Sequence, residues 1–359
     1  MGNLNSFVKD KQIAKRQSFE KDLMREDVVE YFASKSKEEL EDEYGMEVAR
    51  MVGFEQKNAH HCYDLWFHTL HTVESVNTAG MNDKDAVMLK VAAFFHDIGK
   101  PEVVGYNPKT GQQNFIDHAI HSVDVAKTIL NKMAYSQEEI DRISFFIGHH
   151  DDFISYNIDI NQDTNHHTFI RGITPNTVKE MIIQNQVDWD KIGVSCHLPT
   201  KTDSETRNNK NAQKNQTNST KRKFICSYLA NGVEPTFVNY YKKPIKVDVD
   251  IEDMTKKIQS GKFAPEYIPT EEDYKLLLEI CKADARAQSK EIQMIDPKTG
   301  ETYITDSRER KITTMDKIAN YIEEAYRDAM KTFNDTKDDI LENETFDFKT
   351  PQENNDISI

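Results

Sequence analysis

The sequence predicts a mainly α-helical bundle with a small β-containing insertion. Two observations carry the prediction. Apolar residues recur three and four positions apart over most of the chain, and several of the segments they mark open with helix-capping residues. At 359 residues the chain can hold one large domain or two smaller ones, and either would bury a substantial core. Its hydrophobic fraction of 37% is low and its charged fraction of 30% is high for a globular domain, so part of the chain is expected outside any core.

From Ser18 to Val52, apolar positions such as Val28, Val29, Tyr31 and Phe32, then Leu40, Tyr44, Val48 and Met51, predict two amphipathic helices. Asp64 to Asn77 predicts a third, and Asp83 to His96 a fourth whose apolar run VMLKVAAFF marks it as buried. His118 to Met133 and Ser136 to Gly148 follow, the latter with Ser136 and Glu139 as a capping box. Thr174 and Pro175 open a helix through Val187, with cap and N1 proline in the usual order. The polar, Asn-rich and basic stretch from Lys201 to Lys223 reads as a flexible insertion. FICSYLA, TFVNYY and PIKVDVDI are β-prone and predict a small hairpin, before Glu271 starts a helix carrying YKLLLEICKADARAQS. After Met330 the chain turns acidic and reads as a frayed or disordered tail.

A net charge of -15 repels a nucleic-acid backbone over most of the surface and argues against extended duplex binding. Small phosphorylated substrates remain open, because a metal cation can hold them in an acidic pocket. Cys62, Cys196, Cys226 and Cys281 are scattered without a Cys-x-x-Cys pair, which argues against a disulfide framework and a thiolate zinc site and fits a reducing compartment. The N-terminus has no apolar signal region and no stretch suits a membrane span, so a cytoplasmic protein is expected. Gly2 followed by Ser6 meets only the bare myristoylation pattern.

The strongest chemical signal is FFHDIGKPE, where His96 and Asp97 end a buried helix. At a helix end, adjacent imidazole and carboxylate can converge on one cation, and this donor pair suits manganese, iron, cobalt, nickel or zinc, with magnesium as a further option. For the dipeptide alone, a capping Asp beside a core His is the plainer account. His68, His118 and His150, each on a separate predicted helix or helix end, change the balance, because a bundle gathers such positions in its core. His71 shares the helix of His68 at a spacing of three, so either can be the ligand, with His71 read as the neighbour in the pocket or as solvent-facing. Of the adjacent His149 and His150, only one can face inward, and His150 is preferred, with Asp151 close by.

The stretches GFEQKNAHHCYDLWFHTL, AAFFHDIGKPE, FIDHAIHSVDVAKTIL, FFIGHHDDF and LLEICKADARAQS, in that order, resemble the HD domain, and most of all the HD module that accompanies bacterial tRNA nucleotidyltransferases. The resemblance spans about Gly53 to Ser289. It implies a helical HD fold holding one or two divalent metals and hydrolysing phosphoester bonds, often in nucleotides or cyclic phosphodiesters. On this sequence the implied metal ligands are His68, His96, Asp97, His118, His150 and Asp284, with Asp188 as the competitor for the closing carboxylate. The resemblance favours Lys100 as a catalytic and substrate-binding cation, and His71, from its place on the helix of His68, is expected as a substrate neighbour. Asp97 is expected to be catalytic as the bridging ligand, one of the histidines or Asp151 to assist proton transfer to the leaving oxygen, and His60 and His61 can edge the pocket. The expected organisation is a helical extension over 1–52, an HD phosphohydrolase domain over 53–290 with an insertion at about 190–270, and a C-terminal helix with an acidic tail over 291–359.

The polymerase signature of those nucleotidyltransferases, a Gly-Ser turn followed by two aspartates, is missing from this sequence. Asp248 and Asp250 have the bare carboxylate spacing without that turn and read as charges on an edge strand. The expected partner is therefore a small phosphorylated substrate such as a nucleotide, with RNA as an alternative and no membrane. Rival readings are a catalytically inactive HD-fold module, with the basic insertion contacting RNA or protein, and a nucleoside triphosphate phosphohydrolase.

Overall fold

The computed structural model describes residues 2–57, 60–106, 112–153, 173–194, 211–236, 246–289, 292–295, 302–305 and 307–344. In chain order, the first elements are helices α1 (Gly2–Leu23), α2 (Val28–Ala33), α3 (Lys37–Tyr44), α4 (Met46–Ala49), α5 (Leu65–Ser75), α6 (Asp83–Phe95) and α7 (Lys100–Val103). A two-residue antiparallel pair follows, β1 (Gly105–Tyr106) with β2 (Gln113–Asn114). Next come α8 (His118–Lys132), α9 (Gln137–His149), α10 (Pro175–Asn185), α11 (Asn211–Asn231), α12 (Ile251–Gln259) and α13 (Glu271–Arg286). The antiparallel hairpin of β3 (Ile292–Ile295) and β4 (Thr302–Thr305) precedes α14 (Ser307–Ala319) and α15 (Ile322–Glu344). The fold is mainly α.

Local chemistry explains most boundaries. Ser136 accepts from the backbone N–H of Glu139, whose side chain returns to the Ser136 N–H, and this capping box opens α9. Asp64 and Asn82 cap α5 and α6 in the same way with their side-chain oxygens. Thr174 caps α10 ahead of Pro175. The stretch read as two N-terminal helices is divided further, because Gly45 takes a φ of +107° between α3 and α4, a conformation that glycine adopts at little cost.

Three expectations need correction. FICSYLA is helical and belongs to α11, as do the last residues of the supposed flexible insertion. Phe224, Ile225, Leu229 and Ala230 are buried where α11 meets α10, and such packing overrides local β-propensity. KVDVD, residues 246–250, has no regular structure, and Asp250 is the N-cap of α12 and not an edge-strand charge. The chain after Met330 continues as helix to Glu344, with Ala325 and Ala329 on the same helix buried. Residues 201–210, 237–241 and 345–359 lie outside the described residues, as does Cys196.

Helix α13 is the centre of the bundle, in contact with α5, α6, α9, α14 and α15. Tyr274, Leu276, Leu277, Leu278, Ile280, Cys281, Ala283 and Ala285 bury most of its surface, leaving a polar stripe through Glu272 and Lys275 exposed. At the opposite end, the ring of Phe94 on α6 lies 5.1 Å from Phe19, 5.3 Å from Phe32 and 5.8 Å from Trp66. Each buried aromatic removes roughly 150–250 Å² from water, so this cluster ties α1, α2 and α5 to α6.

One ionic junction locks α6, α9 and α13. Arg142 donates to Asp273 at 2.7 Å and to Asp85 at 2.5 Å. The second oxygen of Asp273 accepts from Tyr267, the Thr270 backbone and the Thr270 hydroxyl. Burial works to raise the Asp273 carboxyl, but the Thr270, Arg142 and Tyr267 hydrogen bonds overcome it and hold the group below its ordinary value. A carboxylate so depressed contributes stability above the ordinary carboxylate range and loses it as the pH falls through the lowered value. Arg142→Met is therefore expected to cost about 3 kcal/mol at neutral pH. The loss should shrink on strong acidification; equal urea midpoints for variant and wild type at neutral pH would contradict the junction's role.

Candidate metal centre

Three helix ends and two helix interiors deliver the candidate ligands to one point. His68 comes from the middle of α5, and His96 is the C-cap of α6 with Asp97 next to it. His118 opens α8, His150 caps the end of α9, and Asp284 lies in the last turns of α13. His68, His96, Asp97, His150 and Asp284 are all buried. Asp151 stands on the open side with its side chain 47% exposed.

Each imidazole is oriented by the backbone. Nδ1 of His96 lies 2.7 Å from the Ala93 carbonyl, that of His118 2.8 Å from Phe115, and that of His150 2.7 Å from Ile147. Nδ1 of His68 is 3.3 Å from the Ala287 carbonyl. A carbonyl only accepts, so each Nδ1 must carry the proton, and in the neutral ring each Nε2 presents a lone pair inward. The Nε2 atoms of His68 and His96 are 3.3 Å apart, as are those of His118 and His150. Lone pairs at that separation repel unless a cation lies between or beside them.

The carboxylates complete the pattern. Asp97 Oδ2 is 3.3 Å from His68 Nε2 and 3.1 Å from His96 Nε2, whereas Oδ1 is 3.1 Å from His118 Nε2 and 3.6 Å from His150 Nε2. Its two oxygens thus serve two neighbouring groups. Asp284 Oδ1 stands 3.0 Å from His68 Nε2 and joins the first; Asp151 Oδ2 stands 3.1 Å from His118 Nε2 and joins the second. The same side chains fall into triads able to hold a metal: His68, His96 and Asp284; His96, Asp97 and His150; His118, His150 and Asp151. Asp97 Oδ1 is buried and has no hydrogen-bond donor in acceptable geometry. In the neutral ring with its proton on Nδ1, His118 brings a lone pair to that oxygen, so the partner of Asp97 Oδ1 is either a second proton on His118 or a metal ion. Imidazole nitrogen with carboxylate oxygen fits a first-row transition ion better than magnesium, which prefers oxygen alone.

The charges respond to this crowding. Burial opposes ionisation of His68, yet the hydrogen bonds it can donate to Asp284 and Asp97 bring its pKa up to about 9. Burial likewise opposes His118, but Asp151 and Asp97 bring it up to about 10. Asp97 is held well below the usual carboxylate range; burial works against this, and the neighbouring His96, Lys100, His118 and His150 outweigh it. The cluster attracts positive charge, whether as protons or as metal ions.

Lys100 is the nearest side-chain cation. Its Nζ lies 2.5 Å from Asp97 Oδ2 and 2.8 Å from Gln56 Oε1, above the Phe115 ring. His61 borders it at 3.4 Å. Other expected residues are placed elsewhere. His71 pairs with Glu74 at 3.0 Å and stacks on Tyr63, away from the cluster. His149 turns to Asp152, and Asp188 pairs with Lys191, so it is Asp284 that reaches the imidazoles. Sequence reasoning missed Gln56 and Gln288. Gln288 donates to Asp284 Oδ2 at 2.9 Å, and its position four residues after Asp284 was a usable signal; Gln56 offered none.

Close backbone approach builds the corner that holds His118. Gly99 N–H donates to Ser122 Oγ at 2.9 Å, and a Cβ on Gly99 would lie 2.5 Å from the Ser122 nitrogen and 2.8 Å from the His118 carbonyl. Asp117, just before His118, adopts a left-handed φ of 65°, a conformation that costs a non-glycine residue about 1 kcal/mol or more.

The helices of the bundle converge imidazoles and carboxylates on a buried point that could hold a metal ion. Residues 58–184 match the family model of the HD domain. Over 109 residues the chain is 29% identical to the CC-adding tRNA nucleotidyltransferase of Thermus thermophilus, a match covering 30% of this chain and 24% of that protein. The chain thus spans about a quarter of the relative's length. No solved structure matches the chain.

Gly99→Ala is expected to push α8 away from α7 and destabilise the fold by about 1–3 kcal/mol. It should also weaken metal retention, because His118 moves with the displaced turn. An unaltered thermal midpoint together with unaltered metal content, measured by elemental analysis, would show that the corner has room to spare.

Proposed function

We propose that this protein is a metal-dependent phosphohydrolase that cleaves phosphoester bonds in nucleotides or cyclic phosphodiesters. The observation that carries the reading is the pair of facing Nε2 lone-pair sets divided by the two oxygens of Asp97. In this reading His68, His96, Asp97 and Asp284 hold one ion, and Asp97, His118 and His150 hold a second, with Asp151 at its open side. Divalent ions so held polarise phosphoryl oxygens and acidify water towards neutrality.

The chain's own groups supply the rest. The backbone carbonyls of Ala93, Phe115, Ile147 and Ala287 keep the imidazoles in the tautomer that binds. Lys100 holds Asp97 and Gln56 through two donors and has a third N–H for a phosphoryl oxygen, acting as a point charge on the substrate. Asp151, half-exposed and 3.1 Å from His118 Nε2, is placed to accept a proton from water on the open side. His71, paired with Glu74 and packed on Tyr63, stays in this reading as a candidate substrate neighbour on the helix of His68.

The likeness to the CC-adding enzyme supports the hydrolase scaffold and not nucleotide addition. It is confined to a short segment, and no Gly-Ser turn followed by two aspartates occurs in these 359 residues. The net charge of -15 likewise favours a small substrate over an RNA duplex. Among the described residues no helix is long and apolar enough to cross a membrane.

Protein supplied with manganese, nickel or cobalt is expected to hydrolyse p-nitrophenyl phosphate or its bis ester. His96→Ala and Asp97→Ala should each reduce turnover to background and lower metal content. Wild-type protein that retains no transition metal, and whose thermal midpoint ignores added metal, would end the hydrolase reading.

A further inference from the structure

The resemblance and the matched HD segment leave the C-terminal helices without a part in the chemistry, yet α14 reaches the candidate metal centre. Lys311 on α14 donates from its ammonium to Gln288 Oε1, and Gln288 Nε2 donates in turn to Asp284 Oδ2 at 2.9 Å. Lys311 thus approaches the centre from the Asp284 side, whereas Lys100 approaches from the Asp97 side. Between them lies the His60–His61 loop. His61 is 3.4 Å from Lys100 Nζ, and the His60 carbonyl accepts from the Ser289 N–H at 2.8 Å, at the end of α13.

Lys311 differs from the other lysines of its neighbourhood. Lys282, on α13, ends on Asp316 at 2.6 Å, but among the described residues no carboxylate pairs with Lys311. Its one hydrogen-bond partner there is a neutral amide. Burial lowers its pKa; Asp284 and Asp151 oppose that effect, and Lys100 and Arg310 add to it. A half-buried ammonium with donors to spare, close to a second ammonium, is a costly arrangement unless an anion comes to share it.

We propose that Lys311 is a second phosphate-binding residue of this site, and that Lys100 and Lys311 together select a terminal phosphate dianion over a phosphodiester monoanion. The inference rests on the hydrolase reading above. Three carboxylates, those of Asp97, Asp151 and Asp284, against two divalent ions leave one positive charge, and the two ammonium groups raise it to three. A monoester dianion neutralises more of that charge than a diester does. The substrate class is then a phosphomonoester or a nucleotide's terminal phosphate, and the C-terminal helix is part of the site.

The probe is inorganic phosphate, titrated calorimetrically into the metal-loaded full chain. Lys311→Met is expected to weaken phosphate binding about tenfold or more, with metal content unchanged, and Lys311→Arg to recover most of it. The KM for p-nitrophenyl phosphate should rise in Lys311→Met, while that for the bis ester stays level. Equal phosphate affinity in wild type and Lys311→Met would overturn the inference and leave the hydrolase reading intact. Loss of metal from Lys311→Met would overturn it differently, making Lys311 a positioning residue that acts through Gln288 on Asp284. Failure of the wild type to hold metal, or to bind phosphate once loaded, would also overturn it; only the first of these removes the hydrolase reading as well.

Discussion

The buried carboxylate of Asp97 is the constraint around which the centre is arranged. An ionised carboxylate moved out of water costs several kcal/mol even after the protein relaxes, and Asp97 is 1% exposed. Its charge is compensated on one side by Lys100, His68 and His96 and on the other by His118 and His150. Those groups come from separate elements, so the helix ends of α6, α8 and α9, the first residue of α7 and the flank of α5 must all arrive together. The chemistry of the site and the topology of the bundle are in this sense one requirement.

Helix termini are suited to that task. The last carbonyls of a helix have no intrahelical donor, and here two of them, Ala93 and Ile147, take the Nδ1 protons of His96 and His150. Each bond satisfies an orphan acceptor and turns Nε2 inward at the same time. The result is a cluster preorganised by backbone, in which ligand orientation does not depend on long side chains finding one another. The thiol of Cys281 adds a related contact by donating to the His150 carbonyl at 2.9 Å, which ties the end of α9 to α13.

The matched HD segment does not contain the whole site. It ends at residue 184, whereas Asp284, Gln288 and Lys311 come from α13 and the region after it. Helix α13 is both a central, largely buried helix of the bundle and the carrier of Asp284. Packing energy that fixes α13 therefore also fixes a candidate ligand, and the Arg142–Asp273 junction at its start bears on the geometry at its end. The N-terminal helices act from the other side, through the aromatic cluster at Phe94, by holding the helix that ends in His96.

Helical periodicity and capping chemistry made α5, α6, α8, α9, α10 and α13 legible, because an amphipathic helix writes its buried face and its start into consecutive residues. The His96–Asp97 pair and the separate histidines at His68, His118 and His150 were legible for a related reason: donor types with few other uses recur at helix ends. What could not be read was anything that depends on two distant segments meeting. The sequence offered His149 beside His150 and Asp188 beside Asp284 on similar terms, and the choice rests on which way a helix end points once α13 is packed. FICSYLA has local β-propensity and is helical because α10 offers it a face. Gln56 and Lys311 carry no local mark at all; their significance arises from proximity across the fold, which folding alone creates.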